Sequence, residues 1–470
     1  MTDLWRHSAI DLAKLIATRQ ASSAEVVEAH LARIAAVNPK LNAVVRILAD
    51  EARAGAAEAD RQVAAGARLG PLHGVPITVK ENIDMAGLPT TQGVIPLANA
   101  VVPGDAPVVE RMRAAGAIPI ARTNLPDMGL RVHTHSSLHG LTLNPWDRTL
   151  TAGGSSGGEG SALASGMSPL GLGNDIGGSL RSPASVCGIA SIRPSAGRVA
   201  DAGSLPNEDK LMVSQLMAVQ GPMARRVADV RLGLKIIMGA HTRDPWAIDA
   251  PLEGRPIEGT IRVAVAAVPP GCAVEPAVAD GVRRAADALA GAGYEIVEAC
   301  PPRYEEAVEV WARFLMGDMA AAFAQMGPIM GEDGRGFLEA FNRTVAPLAN
   351  TTEMSQLFVQ RYGIARDWSV FMADYPLLLT PTWTMLPFES GFDIDGPGAA
   401  AATKALMAPV CPANLLGLPS ACVPAGLDAG SGLPVGVLLT GQRFREDLCL
   451  DAAEAVEARL GLDTPIDPRA

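Results

Sequence analysis

The 470-residue sequence predicts an α/β fold. From about residue 70 to 230, short apolar segments alternate with helical patterns, which is typical of strands joined by helices. A second region repeats this order, with an apolar strand over 262–268, a helix over 276–290 and a strand over 294–297, and predicts a βαβ unit. The composition agrees, because 48% of residues are hydrophobic and 19% are charged, as in a well-packed globular protein.

The first 65 residues are predicted to form helices. Ser8 is a candidate N-cap, and Ser22 with Glu25 three residues later fits a capping box. The helix that follows carries an apolar stripe of Val26, Val27, Leu31 and Ile34. Farther along, the step Arg225-Arg226 is interpreted as a solvated face at a helix start.

Lys80 ends an apolar segment in which Val75, Ile77 and Val79 alternate as in a strand. Apolar surroundings disfavour an ammonium ion and lower a lysine pKa from its reference value of about 10.4. Only 6 of the 39 basic residues are lysines, and arginine cannot act as a base. Lys80 is therefore a candidate general base.

Two segments rich in glycine and serine follow this lysine. Ser155 lies in the run TAGGSSGGEG (151–160), and Ser179 lies in GLGNDIGGSLR (171–181). Amide hydrolysis requires a nucleophile, a base that activates it, an acid for the leaving nitrogen and donors for the oxyanion. A serine, a lysine and glycine-rich backbone together supply these groups.

The three segments resemble the amidase signature family in sequence and in spacing, since Ser155 follows Lys80 by 75 residues and Ser179 follows Ser155 by 24. The resemblance covers nearly the whole chain and is weakest over 301–375. It implies a single large mixed β-sheet flanked by α-helices on both faces, without cofactor or metal. It divides one domain, 1–470, into N-terminal helices (1–65), a signature core (66–230), a helical insertion over the active site (301–375) and a return to the core (376–470).

The resemblance also implies roles for individual residues. Ser179 would be the nucleophile, and Ser155, after a cis Gly154–Ser155 peptide bond, would relay its proton to Lys80. The predicted oxyanion donors are the backbone N–H groups of Ile176, Gly177, Gly178 and Ser179. Glycine suits this position because no side chain blocks the substrate.

Further roles are implied around this centre. Asp175 and Arg181 are expected to form an ion pair that fixes the nucleophile loop. The family usually has Thr at the position of Asn174, which could change the loop geometry. The substrate pocket is expected to include Gly129, Leu130 and Arg131. In the helical insertion, the apolar residues Trp311, Phe314, Leu315, Met316, Met319 and Phe323 fit ordinary core packing, although part of the insertion could wall the pocket.

Other interpretations of these segments are weaker. GGSSG (153–157) fits the nucleophile-elbow pattern, but only one histidine, His241, follows it, so the required triad is poor. Neither glycine run has phosphate-loop or dinucleotide spacing. His133, His135 and His139 lack a second ligand group and are interpreted as a hydrogen-bonded loop. The six scattered cysteines are interpreted as core thiols rather than disulfides.

The whole chain narrows the class of function. A net charge of −11 argues against a nucleic-acid-binding surface, and no apolar stretch reaches the length of a membrane span. The N-terminal MTDLWRH has no apolar signal core, so a cytoplasmic location is expected. The predicted function is serine-dependent hydrolysis of small, fairly apolar amides by a monomer or homodimer, with aryl acylamides as the first substrate class and carbamates or esters as a further one.

Two alternatives remain. The first is the glutaminase subunit of a tRNA-dependent amidotransferase, although no charge pair for an amino-acid head group is evident in 376–440. The second is a catalytically silent binding protein, which the intact serine–lysine set opposes.

Overall fold

The strands of the computed structural model, which describes residues 3–205 and 209–469, form one large sheet and one hairpin-sized sheet. Met1 and Thr2 of the N-terminal stretch lie outside the described residues. The strands are β1 (Val44–Ile47), β2 (Pro76–Lys80), β3 (Ile118–Thr123), β4 (His135–Ser136), β5 (Gly140–Leu141), β6 (Leu170–Asp175), β7 (Ala190–Arg193), β8 (Val219–Ala224), β9 (Arg262–Val265), β10 (Glu295–Glu298), β11 (Leu377–Pro381), β12 (Ser420–Leu427) and β13 (Pro434–Gly441).

Helices connect these strands. They are α1 (Ala9–Ala17), α2 (Ser23–Val37), α3 (Ala49–Ala64), α4 (Pro107–Ala114), α5 (Gly157–Ala164), α6 (Arg181–Cys187), α7 (Met212–Met217), α8 (Val227–Ile237), α9 (Pro276–Ala290), α10 (Tyr304–Met326), α11 (Glu332–Asn342), α12 (Thr351–Asp374), α13 (Ala399–Leu406), α14 (Cys411–Leu416) and α15 (Glu446–Leu460). No helix among the described residues combines the length and apolar character needed to cross a bilayer.

The large sheet has eleven strands in the order β1-β3-β2-β6-β8-β7-β12-β13-β11-β9-β10. Strands β3, β2 and β6 run parallel, as do β11, β9 and β10, and antiparallel strands lie between these two groups. The predicted large mixed sheet is therefore confirmed. The predicted βαβ unit is confirmed as β9-α9-β10, with the helix at Pro276–Ala290.

The apolar side chains of the strands divide the interior into two layers. In β11, Leu377 and Leu379 pack into a core with helices α8, α9 and α15, whereas Leu378 packs into a core with α10, α12 and α14. Successive side chains of a strand point to opposite faces, so this division follows from the pleat. Helices thus cover both faces of the sheet, as predicted.

The first two N-terminal helices begin where the sequence predicts, but the expectation of helices alone over 1–65 is wrong, because β1 (Val44–Ile47) lies in this region and pairs with β3. The Ser8 side chain accepts a hydrogen bond from Asp11 N, and Ser22 with Glu25 forms a complete capping box. All four apolar residues of the predicted α2 stripe are buried. All six cysteines are free thiols, four buried and two half-buried.

The interpretation of Arg225 as a solvated residue is wrong. Its side chain is 4% exposed and donates to the carbonyl oxygens of Ser168, at 2.8 Å, and His7, at 2.6 Å. A planar guanidinium carries five N–H donors and can satisfy several loop carbonyls at once. Arg225 therefore ties the N-terminal segment to the loop before β6.

Candidate active site

Lys80 lies at the carboxyl end of β2, on the face of the sheet that α5 covers. Ile77 and Val79 point into the opposite core, so Thr78 and Lys80 share the other face. Lys80 is completely buried, and its Nζ lies 2.7 Å from Ser155 Oγ. The same nitrogen lies 2.7 Å from Asn174 Oδ1. The structure thus brings together two residues that are 75 positions apart in sequence.

Burial lowers the pKa of Lys80 to about 7, although the nearby Asp175 and Glu159 carboxylates oppose this change. Glu159 lies on α5 and is also fully buried. Burial raises the pKa of Glu159 to about 7, against the effects of its hydrogen bonds from Thr123 and Thr78 and of the Lys80 charge. A substantial fraction of Lys80 is therefore the neutral amine near neutral pH, which a base requires.

Ser155 is held by a closely packed glycine segment. The Gly154–Ser155 peptide bond is cis. A Cβ atom at Gly154 would lie 2.6 Å from the Arg131 carbonyl oxygen, so only glycine fits there. Ser156 N donates to the Ser179 carbonyl at 3.3 Å and joins the two serine segments.

The loop before Ser179 is built on a buried ion pair. Arg181 Nε and Nη2 each lie 3.0 Å from an oxygen of Asp175, and both side chains are inaccessible to solvent. Asn414 Nδ2 donates to the same carboxylate at 2.8 Å. Burial alone would raise the pKa of Asp175, but Arg181, Arg193 and the Asn414 hydrogen bond hold it below its usual range. The predicted pair is present and fixes the loop.

The Asp175 carboxylate also shows that the prediction of Gly178 N as an oxyanion donor is wrong. Gly178 N donates to Asp175 Oδ1 at 2.8 Å, so its hydrogen is already used. Within the described residues, the N–H groups of Ile176, Gly177 and Ser179 make no hydrogen bond. These three groups remain available to an oxyanion.

Trp311 of α10 supports the same loop. Its Nε1 donates to the Ile176 carbonyl at 3.1 Å, and a Cβ atom at Gly177 would lie 2.6 Å from its ring. Sequence reasoning places Trp311 only among the apolar residues of the insertion. A buried tryptophan needs a hydrogen-bond partner for its ring N–H. This requirement was the sequence signal that could have indicated a polar contact of Trp311.

Ser155 and Ser179 border the same cleft, together with Asn82, Gln92 and Gln220. No hydrogen bond joins the two serine hydroxyls within the described residues. Proton transfer between them therefore needs rotation of a hydroxyl or a bridging water, as is common before substrate binds. The cleft has a volume of about 350 Å³.

A second, apolar cavity meets the cleft at Ser179. Gly129, Leu130 and Arg131, the three residues predicted for the substrate pocket, all line it. The rest of its wall comes from Val132, Ile176, Gly177, Trp311, Leu315, Met316, Met319, Phe337, Leu338, Phe341 and Met407. Its volume is about 50 Å³, far below the roughly 300–1,000 Å³ typical of ligand pockets. An aromatic group can enter only if flexible side chains such as Met316 and Met319 move.

Arg131 borders this cavity without offering it a free charge. Its Nε and Nη2 contact the buried Asp393 carboxylate at 2.5 and 2.9 Å, and Nη1 lies 3.3 Å from Asp333 on α11. The guanidinium therefore links the pocket loop to α11 instead of facing a substrate.

The histidines near this loop do not form a metal site among the described residues. Both ring nitrogens of His133 contact hydroxyls, Thr151 Oγ1 at 2.8 Å and Ser390 Oγ at 3.1 Å. Burial lowers the pKa of His133 to about 4. His135 instead contacts Asp333 at 3.0 Å.

Known proteins share this fold and much of this sequence. The family model named Amidase matches residues 25–450. An indoleacetamide hydrolase from Bradyrhizobium diazoefficiens is 44% identical over 466 residues, which cover 98% of this chain and 87% of that protein. A glutamyl-tRNA(Gln) amidotransferase subunit from a Synechococcus strain is 33% identical, with 94% and 95% covered. A solved bacterial aryl acylamidase of the amidase signature family has a TM-score of 0.82 at 26% identity, covering 98% of this chain and 96% of that one.

A buried lysine beside a serine, under a loop with free N–H groups, has the chemistry of a hydrolase that cleaves amides. The chain belongs to the amidase signature family. It is an enzyme that hydrolyses C–N bonds of amides.

Proposed function

We propose that this enzyme hydrolyses small, neutral amides with an apolar acyl or aryl group through a covalent acyl-enzyme on Ser179. The observation that carries the proposal is the fully buried Lys80 amine, 2.7 Å from Ser155 Oγ, because Ser155 lines the cleft that also contains Ser179. Burial keeps part of the amine neutral near pH 7, and a neutral amine can accept a proton.

In this mechanism the proton of Ser179 passes to Ser155 while the proton of Ser155 passes to Lys80. The Ser179 oxygen attacks the amide carbon, and the N–H groups of Ile176, Gly177 and Ser179 bind the oxyanion. The ammonium of Lys80 then returns a proton through Ser155 to the leaving nitrogen, and the C–N bond breaks. Water then attacks the acyl carbon while one of its protons passes through Ser155 to Lys80. The ester bond to Ser179 breaks, and the Lys80 proton returns through Ser155 to the Ser179 oxygen.

The apolar cavity supports an aromatic or aliphatic group on the substrate. Its wall consists mainly of aliphatic, methionine and aromatic side chains, and its one arginine is paired with Asp393. The 44% identity to an indoleacetamide hydrolase supports an arylacetamide as the substrate of this chain. The nitrogen of such a primary amide would leave as ammonia. The aryl acylamidase supports anilides as a second group. Carbamates and esters are a further substrate class of the proposal.

The glutaminase subunit stays as an alternative because of the 33% identical amidotransferase relative. One charged pair in the cleft bears on this alternative. Lys210 and Asp201 line the cleft and form an ion pair of 2.9 Å, and opposite charges can bind an amino-acid head group. Their mutual pairing favours a neutral substrate instead. A monomeric or homodimeric state and a cytoplasmic location stay predictions.

The test is a comparison of kcat/KM for the purified chain on indole-3-acetamide, acetanilide, an N-aryl carbamate, the methyl ester of indole-3-acetic acid and glutamine. We expect the arylacetamide and the anilide to be hydrolysed faster than glutamine, and no substrate to be turned over by Ser179→Ala. If glutamine is the best substrate, or activity requires a second protein chain, the amidotransferase alternative is correct.

A further inference from the structure

Asn174 makes a contact with Lys80 that the serine–lysine relay does not use. It lies at the carboxyl end of β6, two residues before Ile176, which belongs to the loop that follows the strand. Its Oδ1 is 2.7 Å from Lys80 Nζ, the same distance that separates this nitrogen from Ser155 Oγ. Its Nδ2 donates to Asn82 Oδ1 at 2.9 Å.

We propose that Asn174 is a positioning residue that holds the Lys80 amine by one N–H, so that the lone pair of the neutral amine faces Ser155. The proposal rests on the proposed function, in which Lys80 is the base.

The hydrogen count of the amine supports this role. A neutral lysine has two N–H donors and one lone pair, and an amide oxygen can only accept. Asn174 Oδ1 therefore commits one N–H of Lys80 to itself. The amine can then accept the Ser155 proton only along its lone pair, and rotation about the Cε–Nζ bond is limited by the Asn174 contact.

Asn82 fixes which end of the Asn174 amide faces the lysine. With Nδ2 donating to Asn82, the oxygen points at Nζ. In the opposite orientation the Asn174 NH2 group would face Lys80. The ammonium form of Lys80 has three donors and no acceptor, so the two groups could not form a hydrogen bond. Asn82, Asn174 and Lys80 thus form a short chain of hydrogen bonds that ends at the lysine amine.

The charged groups that face Lys80 define how changes at Asn174 act on it. Asp175 comes from β6 and Glu159 from α5, and both carboxylates favour the ammonium form. Arg122 of β3 reaches Lys80 only at its backbone carbonyl oxygen, at 3.3 Å, and its other hydrogen bonds go to the carbonyl oxygens of neighbouring residues. A neutral acceptor at 174 orients the amine without adding a third negative charge. A carboxylate there would favour the ammonium form further.

The experiment compares the pH dependence of kcat/KM for Asn174→Asp and Asn174→Leu, with the rate of Ser179 labelling by a fluorophosphonate as an independent readout. Asn174→Asp adds a negative charge next to Nζ, so the acid limb should move to higher pH by at least about one unit. Asn174→Leu removes an acceptor that favours the ammonium, so the acid limb should move to lower pH. Its plateau kcat should fall about 10- to 100-fold, with little change in KM, because the base is misoriented.

Two controls separate the possible failures. Asn38→Leu removes a comparable amide, which accepts from Ala43 N and Val44 N beside β1, and should leave the acid limb in place. Lys80→Ala tests the base itself. If Lys80→Ala keeps full activity, the proposed function fails and this inference with it. If Lys80→Ala is inactive but both Asn174 variants keep the wild-type acid limb, Asn174 only supports the structure and the inference is overturned. Asn174→Asp changes the side chain least. If Asn174→Leu does not fold, the pH of the acid limb of kcat/KM in Asn174→Asp decides whether Asn174 positions Lys80.

Discussion

The region around Lys80 and the helices α10 and α11 contribute opposite kinds of wall to one site. The Lys80 region is made of buried polar side chains, and Lys80, Glu159, Asp175 and Arg181 are each hydrogen-bonded and 2% exposed or less. The helices contribute methionine and phenylalanine side chains to the cavity, and their ion pairs, such as Arg303 with Glu306, are partly exposed.

The difference shows how one enzyme combines fixed chemistry with adaptable recognition. Removing one member of a buried hydrogen-bond network leaves its partner unpaired, which costs free energy. A fully paired network is therefore held in a single geometry. Methionine-rich walls can repack at small cost. Substitutions in the first region should therefore affect turnover and stability, and substitutions in the second should affect substrate choice.

The largest effect is expected from Ser179→Ala, which removes the proposed nucleophile. We expect kcat/KM to fall by about 10⁴- to 10⁶-fold, as when other serine nucleophiles are removed. Mass spectrometry after fluorophosphonate treatment of the wild type should find the adduct on the peptide that contains Ser179. An adduct on Ser155 would instead support the nucleophile-elbow interpretation.

Removal of the base comes next. Lys80→Ala should lower kcat/KM by about 10²- to 10⁴-fold. In the wild type, kcat/KM should rise with pH and reach half its plateau near pH 7, because the neutral amine increases as pH rises through the lowered pKa of Lys80, about 7. Glu159→Gln removes a negative charge that favours the ammonium, so this limb should move to lower pH. Retained activity in Lys80→Ala would exclude the mechanism.

Stability provides a direct comparison of the two regions. Asp175→Asn leaves the buried Arg181 charge without its partner and should lower the free energy of unfolding by about 3–5 kcal/mol. Lys404→Ala breaks a partly exposed pair with Glu309 on α10 and should lower it by no more than about 1 kcal/mol. Urea denaturation of both variants measures the difference. Equal losses would show that the two regions do not differ in this respect.

A smaller and more selective effect is expected at the cavity wall. Met319→Ala opens space next to Ser179 and should change KM for arylacetamides several-fold while kcat changes little, since no reacting atom is touched. Amides with bulkier acyl groups should gain relative to acetamides. The comparison uses kcat and KM on a series of acyl groups. A fall in kcat alone, equal for all substrates, would argue against a recognition role.

Chelation should have the smallest effect. The proposed mechanism uses no metal, so prolonged dialysis against EDTA should leave kcat/KM unchanged on an arylacetamide. Both ring nitrogens of His133 are already bonded to hydroxyls. A loss that added Zn²⁺ restores would revive a metal role for this loop.

The mixed sheet and the proximity of Lys80 to the serine segments were predicted through the resemblance to the amidase signature family, and the alternation of strand and helix patterns agreed with that fold. Apart from the Asp175–Arg181 ion pair, the sequence did not predict which polar groups of distant segments pair with one another. The commitment of Gly178 N to Asp175, the pairing of Arg131 with Asp393 and the burial of Arg225 each depend on contacts between distant segments. Asn174 could be noticed only as an unusual residue, and its contact with Lys80 required the sheet register.

Glu159 and Gly171 carry a consequence for how related chains can diverge. Gly171 lies on β6 directly beneath the Glu159 carboxyl, and a methyl group at 171 would overlap that carboxyl. The two positions are therefore not free to vary independently. Gly171→Ala alone should be tolerated poorly, whereas the same change combined with a small residue at 159 restores the space. A lineage that gains a side chain at 171 must first lose the buried acid, and Lys80 would then lose a carboxylate that favours its ammonium form.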